Sequence, residues 1–549
     1  MRTPRSWFCR LLPLAIVLVP LLSIGAASSP EKPIKLIKKI GNWHHPASTE
    51  NDLAQHFFDQ GFTLIYGFNH DAAIRSFKRA LELDPNLVMA HWGIAYALGP
   101  NINLDVDPER EKAAFSESQT ALKMAANLAA EERDYIYALT NRYSDDPKAD
   151  LKSLQVNFKN AMRDLTRKYP DDLDAATLYA ESMMNLHPWA LWSAYGKPAE
   201  DTEEIITVLE SVIRSEPNHP GANHYYIHAV EASPTPDRGL ISAQRLEKLV
   251  PAAGHLVHMP AHIYMRTGDY EGAARRNEVA AAADHDYIQA CGVKGIYPLM
   301  YYSHNLHFLA VAESLQGKYA AAKNAADKLV ANVEGSIKDI PELEGFLPTP
   351  YFILATFQRW DDILKLRAPA LELKNTQAAW HFTRGMALAA TGKSSGAEDE
   401  LAEVRKIIQA IPAEAMFSPL NKAQDVLKVA NLQLEAKIAC ANGDLNVAAQ
   451  RLESAIKAED ALHYDEPPDW YLYSREALGA VLLKKKDYQH AEEVFREDLR
   501  RNPRKGRALL GLQASLDAQG KKAAATFVGH GFQTAWRNAD ERPANPAVW

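Results

Sequence analysis

Nine of the chain's 19 histidines lie from His219 to His307, eight of them in the segments HPGANHYYIHAVE, GHLVHMPAHIYMRTGDY and SHNLHFL, with His285 outside these. Neutral imidazole ligates zinc, copper, iron and nickel, and the same ring titrates near neutrality and hydrogen-bonds through both nitrogens. The spacing lifts this cluster above a compositional excess. His224 and His258 are 34 residues apart, and so are His228 and His262. His224 to His228 and His258 to His262 are steps of four, which place both members on one face of a helix. Glu231, three residues beyond His228, continues that face. Neighbouring helix axes lie about 8–10 Å apart, so two such faces can bring imidazoles to one ion at about 2.0–2.1 Å.

A period of 34 residues belongs to the tetratricopeptide repeat (TPR), two antiparallel helices stacked on the next two. The segment from Ala54 fits its template, with Phe57, Gly61, Leu64, Ala73, Phe77, Ala80 and Pro85 in the bulky, small, bulky, small, aromatic, small and proline slots. Small residues let helices cross closely, a bulky neighbour fills the gap, and the proline ends the unit. Further units start near Val88, after Pro170, at Pro220, Gly254 and Ser303, and near Glu344, Ala378 and Val429. A C-terminal unit carries Gly479, Leu482, Ala491, Phe495 and Pro503. These predict ten to twelve units in an all-α, right-handed TPR-type solenoid. A 15-residue insertion is expected between 288 and 302.

In such repeats positions 2, 5, 9 and 12 of the first helix line the concave groove. The Pro220 unit places His224, His228 and Glu231 at 5, 9 and 12. The Gly254 unit places His255, His258 and His262 at 2, 5 and 9, and the Ser303 unit places His304 and His307 at 2 and 5. The first unit has Gln55, Phe58, Phe62 and Ile65 there, so the histidines are local to the centre. The foremost candidate ligands are His224, His228, His258 and His262, with His255, His304, His307 and Glu231 close by.

Three readings fit this stripe. It binds a transition metal ion, with zinc, copper and iron the leading candidates. It binds an organic or anionic ligand beside Tyr225, Tyr226, Tyr264, Arg266, Tyr301 and Tyr302. Or it is a packed polar network. A three-histidine ion with an open position would also activate water, with Glu231 as base. The chain holds no HExxH, no Gly-rich phosphate loop and no Ser or Cys nucleophile motif, which weighs against an enzyme. His70, His91, His381, His463 and His490 fall at turn, packing or isolated positions. The loop from 187 to 198, with Trp189 and Trp192, reads equally as a plug and as a ligand contact.

The rest of the composition sets bounds. The chain has 549 residues, 47% hydrophobic and 24% charged, as in an ordinary folded protein. A net charge of −8 without a basic run excludes nucleic acid as the main partner. Arg2, Arg5 and Arg10, an apolar run from Leu11 to Leu22, and Gly25-Ala26-Ala27 read as a cleaved export signal over 1–27, the alternative being an uncleaved membrane anchor. Its removal takes three arginines and moves the net charge from −8 to −11. No other stretch is apolar enough to span a bilayer. Cys291 and Cys440 are too few for a thiolate-rich metal site, and no disulfide is expected between them. The expected order is signal 1–27, flexible lead-in 28–50, an N-terminal TPR and irregular helical region 51–200, a His-rich centre 201–340, C-terminal TPRs 341–539 and a tail 540–549.

Several blocks resemble a family of exported bacterial tetratricopeptide proteins: FNHDAAIRSFKRALELDP with MAHWGIAYALGPNIN, HPGANHYYIHAVEAS, GHLVHMPAHIYMRTGDYEGAARRN, HNLHFL and YDEPPDWY. They cover about residues 56–320 and 460–515. The resemblance implies a repeat scaffold and an exported, periplasmic or extracellular location, and it brings no established activity. The loop bearing His187 and Ala190 departs from it, since similar proteins are more acidic around those tryptophans. Together these readings predict an exported TPR scaffold with a histidine-rich metal site. The alternatives are a protein- or peptide-binding scaffold without metal, and a metal-dependent enzyme.

Overall fold

Phe77 is fully buried between two glycines on the helices either side of it. A Cβ placed on Gly61 would lie 2.7 Å from its ring, and one on Gly93 2.6 Å. No side chain tolerates such contacts, so the helices Asp52–Tyr66, His70–Leu83 and Val88–Leu98 approach closely only because those residues are glycines. The other end of the chain repeats the device: Phe495 fills the space left by Gly479 and Gly511, where a Cβ would come within 2.4 and 2.2 Å. Each triplet has the same 16-residue steps, as one repeated packing rule requires.

The computed structural model describes residues 34–542, 545–547 and 549; the export signal expected over 1–27 lies outside them. The described residues hold twenty-five α-helices, enough for twelve helix pairs, and no strand, only isolated bridges. The fold is the all-α TPR-type solenoid read from the sequence. None of these helices is long and apolar enough to cross a membrane.

Three segments carry the histidines. Pro220–Glu231 is buried along its whole length. Gly254–His258 and Pro260–Thr267 form one helix that bends at Pro260, whose ring removes an N–H, while Met259 keeps helical angles (φ −50°, ψ −36°). Tyr302–Leu315 follows a π-type turn over Tyr297–Tyr301. The expected insertion is partly helical, because Tyr270–Cys291 runs on until Gly292 takes φ +63°.

Two features close what a plain solenoid would leave open. Residues 34–50, for which the sequence suggests flexibility, have no helix but lie pinned by their polar groups. Ile37 N–H donates to Gln60 Oε1 (2.7 Å), Trp43 Nε1–H to Asp174 Oδ1 (3.0 Å), and Ser48 N–H to Glu132 Oε1 (2.7 Å). The C-terminal repeats also turn back onto the centre. Tyr270 Oη donates to Pro503 O (2.9 Å) and Trp536 Nε1 to Leu315 O (2.8 Å). Asp540 accepts from the Tyr319 and Ala320 amides at 2.6 and 3.0 Å.

Phe77→Ala and Phe495→Ala are each predicted to cost about 3–5 kcal/mol in urea unfolding. Because the triplets share no residue, the double variant should lose the sum to within about 0.5 kcal/mol. A double variant no less stable than either single one would show that the two triplets are not independent packing units.

Candidate metal centre

The Pro220–Glu231 helix begins under a histidine cap: His219 Nδ1 accepts from the Ala222 amide (3.2 Å), leaving Nε2 facing Asp174 at 3.3 Å. The helix then presses on the first repeat at Gly221, where a Cβ would meet the Tyr66 ring at 2.3 Å. That approach puts His224 beside the end of the Asp52–Tyr66 helix, and its Nδ1–H donates to Tyr66 O (2.6 Å). One turn on, His228 Nδ1 lies 2.8 Å from Glu231 Oε1.

The six central histidines form two groups. In the first, one ring nitrogen each of His224, His228 and His255 lies within 4.8 Å of the others; in the second the same holds for His258, His262 and His304. His224, His228, His255, His258 and His262 are at most 5% exposed. A carbonyl and a carboxylate only accept, so the partners of His224 and His228 require Nδ1–H and turn a lone pair out on Nε2. The Nε2 atoms of His224, His228 and His255 are buried and have no hydrogen-bond partner. A buried polar atom left unsatisfied costs about 1–3 kcal/mol. With His255 in the same tautomer three lone pairs converge, and a single water has only two hydrogens to give them. A cation satisfies all three, and imidazoles oriented through the other nitrogen are the usual donors to it.

The second group carries the same requirement in another form. Asn277 Nδ2 donates to Ala273 O (2.8 Å), which turns Oδ1 toward His258 Nδ1 at 2.7 Å and makes that nitrogen the donor. His262 Nδ1 lies 2.5 Å from Glu231 Oε2. The carboxylate stands off the direction of the ring N–H, so this is a close polar contact and not an aligned hydrogen bond. Both Nδ1 atoms therefore face acceptors, and the two Nε2 atoms face each other at 2.9 Å. Two lone pairs at that distance repel unless a cation, a proton or a metal ion, lies between them.

Glu231 joins the groups. Its carboxylate takes His228 on one oxygen and His262 on the other, Tyr464 Oη stands 3.4 Å from Oε2, and Arg266 Nε donates to its backbone oxygen (3.0 Å). Burial pushes the Glu231 carboxyl up, but the flanking His262 and His228 rings outweigh burial and hold it well below the usual carboxylate range. Burial, which penalises the imidazolium, holds His228 below its ordinary value and His224, His255, His258 and His304 well below. These rings are neutral, the form a metal needs.

The four foremost candidates do not meet at one point. His224 and His228 share a group with His255, and His258 and His262 share one with His304. His307 stands outside both, its ring 5.7 Å from Phe346 and 5.9 Å from Tyr471, with burial lowering it to about 4. Tyr225 stacks on Phe68 at 5.6 Å and Tyr301 sets its edge to His255 at 5.0 Å. Tyr226 and Tyr264 turn their hydroxyls away to Glu210 (2.7 Å) and Glu247 (2.6 Å), and Tyr302 is half-buried. Arg266 lies over the Tyr464 ring at 5.5 Å.

The expected open groove is buried because distant segments fill it. Phe68 packs on His224, His228 and His255 at 4.7, 5.9 and 5.6 Å, and Tyr464, from the C-terminal part of the chain, reaches Glu231. The tryptophan loop acts both as plug and as contact: Trp192 Nε1 donates to Ala229 O (2.8 Å), and the Trp189 ring stands edge-on to His228 at 5.8 Å. A narrow cleft, bordered by His187, Trp189, His228, Glu231 and Tyr464, reaches the centre. Tyr66, Phe68 and Tyr464 leave no sequence signal for this role. Asn277 does leave one, since it occupies position 24 of its unit, the slot that holds Phe77 in the first.

The tetratricopeptide-repeat profile matches residues 57–87. No curated protein matches the chain. Among solved structures, a human IFIT1 dimer with m7Gppp-AAAA is 13% identical, with 90% of this chain and 92% of that chain covered and a TM-score of 0.32. Yeast Tom70 is 12% identical, with 88% and 100% covered and a TM-score of 0.33. Similarity at this level carries nothing about function.

The buried neutral rings have a pH signature. Below about pH 6.5 the unfolded chain protonates His255 while the folded chain, with its lowered value, does not, so this residue destabilises the fold as pH falls. His255→Gln removes that term and breaks no hydrogen bond described above. In chelator-treated protein the stability of the variant relative to wild type is predicted to rise by about 1.4 kcal/mol per pH unit below 6.5. Urea melts at pH 7.5, 6.0 and 5.0 measure it; a constant difference would mean that His255 titrates as an exposed ring.

Proposed function

We propose that this chain is an exported TPR-type scaffold that holds a transition metal ion on the histidines of its central repeats. The observation that carries this reading is the grouping of His224, His228 and His255, with one ring nitrogen of each within 4.8 Å of the others and every Nε2 buried and unpartnered, two of the tautomers being fixed by Tyr66 O and Glu231. Three imidazoles with no thiolate suit zinc, copper or iron. The ion would sit behind His228, at the end of the cleft bordered by Trp189 and Tyr464. The ion would supply a Lewis acid or redox centre; the protein's own residues supply neutral donors, fix their orientation through Glu231, and exclude bulk water. The arginines and apolar run at the start of the sequence support export.

The repeat type supports a second role on the same molecule, since TPR-type helices present surfaces for protein or peptide partners. Partner binding would use faces away from the histidines, which lie buried.

Competition of the full chain against a zinc-chelating dye tests the metal reading. The chain is predicted to outcompete the dye, and His228→Gln/His262→Gln to lose at least about 100-fold in affinity, the scale of losing several oriented ligands. Equal affinity in both, or no zinc bound by the wild type, would refute a metal centre. A protein partner captured equally by both would then leave the scaffold role alone standing.

A further inference from the structure

Building on the metal reading above, we infer that the centre is a pair of equivalent three-histidine sites, generated by the repeat itself and holding two metal ions per chain around one shared carboxylate. The repeat register carries the inference. The first group takes positions 5 and 9 of the Pro220 unit, His224 and His228, and position 2 of the next unit, His255. The second takes positions 5 and 9 of the Gly254 unit, His258 and His262, and position 2 of the next, His304. One rule, applied to two successive units, gives both groups. A solenoid relates successive units by one rigid operation, so a ligand set written at fixed positions recurs in space as well as in sequence.

The rule also ends where it should. Position 2 of the Pro220 unit is Gly221, which must stay small against Tyr66, so no site can form with the unit before. Position 9 of the Ser303 unit is Val311, buried in the core, so His307 at position 5 lacks its partner four residues on. That accounts for His307 pointing to Phe346 and Tyr471 instead of joining a third group.

Each group has its own orienting partners and its own unmet demand for a cation. His224 is set by Tyr66 O and His258 by Asn277, the two position-5 rings using different acceptors for the same task. The position-9 rings, His228 and His262, share Glu231, one on each carboxylate oxygen. Unpartnered Nε2 atoms mark the first group, and the two facing Nε2 atoms at 2.9 Å mark the second. The groups are immediate neighbours: the His228 and His262 rings are 5.9 Å apart, and His255 and His258 6.0 Å. A carboxylate between two cations at this spacing attracts both and lowers their mutual repulsion. Glu231 is thus a positioning residue for both ions, and a ligand of neither in this arrangement.

Zinc-loaded full-length chain, dialysed against a weak chelator and measured by elemental analysis, tests the pair. The wild type is expected to retain two zinc ions per chain. His224→Gln/His255→Gln and His258→Gln/His304→Gln are each expected to retain one, and all four substitutions together none. Cobalt titration of the wild type, followed by visible absorption, is expected to break at two equivalents and needs no variant to fold. Glu231→Gln is expected to weaken both ions by about 10–100-fold, the usual effect of losing an orienting partner. One ion in the wild type, lost in either double variant, would overturn the pair and leave a single shared centre. One ion lost only with His224 and His255 would show that the second group is resolved by a proton. No ion at all would refute the underlying metal reading.

Discussion

One carboxylate ties the centre together. Glu231 is buried, stays ionised, and divides its two oxygens between imidazoles from different repeats, His228 and His262. A buried carboxylate carries a desolvation penalty of several kcal/mol, which is repaid only when its lone pairs find good donors. Here His228 donates to one oxygen and the His262 ring lies close against the other, and the other nitrogens of both rings face the candidate ions. The same contact that makes Glu231 tolerable in the interior therefore fixes the tautomers on which ligation depends. Arg266 extends the arrangement through the backbone, donating to Glu231 O and lying over Tyr464, so the end of the Pro220–Glu231 helix is held from the next repeat and from the C-terminal loop.

The scaffold supplies two further conditions. Its period presents like residues at like places, so one ligand pattern becomes two adjacent ones. Its closure then removes water: the first repeat reaches His224 through Tyr66 O, and the C-terminal repeats return to Tyr270, Leu315 and Tyr319. Imidazoles along an open groove would titrate as ordinary histidines and bind ions weakly. Behind Phe68, Trp189 and Tyr464, burial holds His224, His228, His255, His258 and His304 below the ordinary imidazole value, and only a narrow cleft is left for exchange.

The fold was legible because its signal is local and repeated. Gly61 and Phe77, or Gly479 and Phe495, are fixed by the steric needs of one helix crossing, and each occurrence reinforces the others. The stripe of histidines was legible for the same reason, since spacings of 3, 4 and 34 determine which faces align. How those faces are covered was not. The Tyr66–His224 bond spans 158 residues and the Tyr464–Glu231 approach 233, and both depend on small rotations accumulated over many repeats. The grouping was misjudged for a subtler reason. Adjacent pairs four apart suggest one four-ligand site, whereas position 2 of the next unit, His255 or His304, completes a group of three with each pair. The stretch from 34 to 50 looked flexible because its ties, such as Trp43 to Asp174 across 131 residues, are invisible along the chain.

The central claim is that ions occupy the points onto which His224, His228 and His255, and His258, His262 and His304, converge. Diffraction from crystals grown with zinc, with data on both sides of the zinc absorption edge, measures this directly. The account predicts two anomalous peaks inside the protein, one against each group of three rings, with Glu231 between them. Anomalous density confined to surface residues, or none at the centre under saturating zinc, would contradict it.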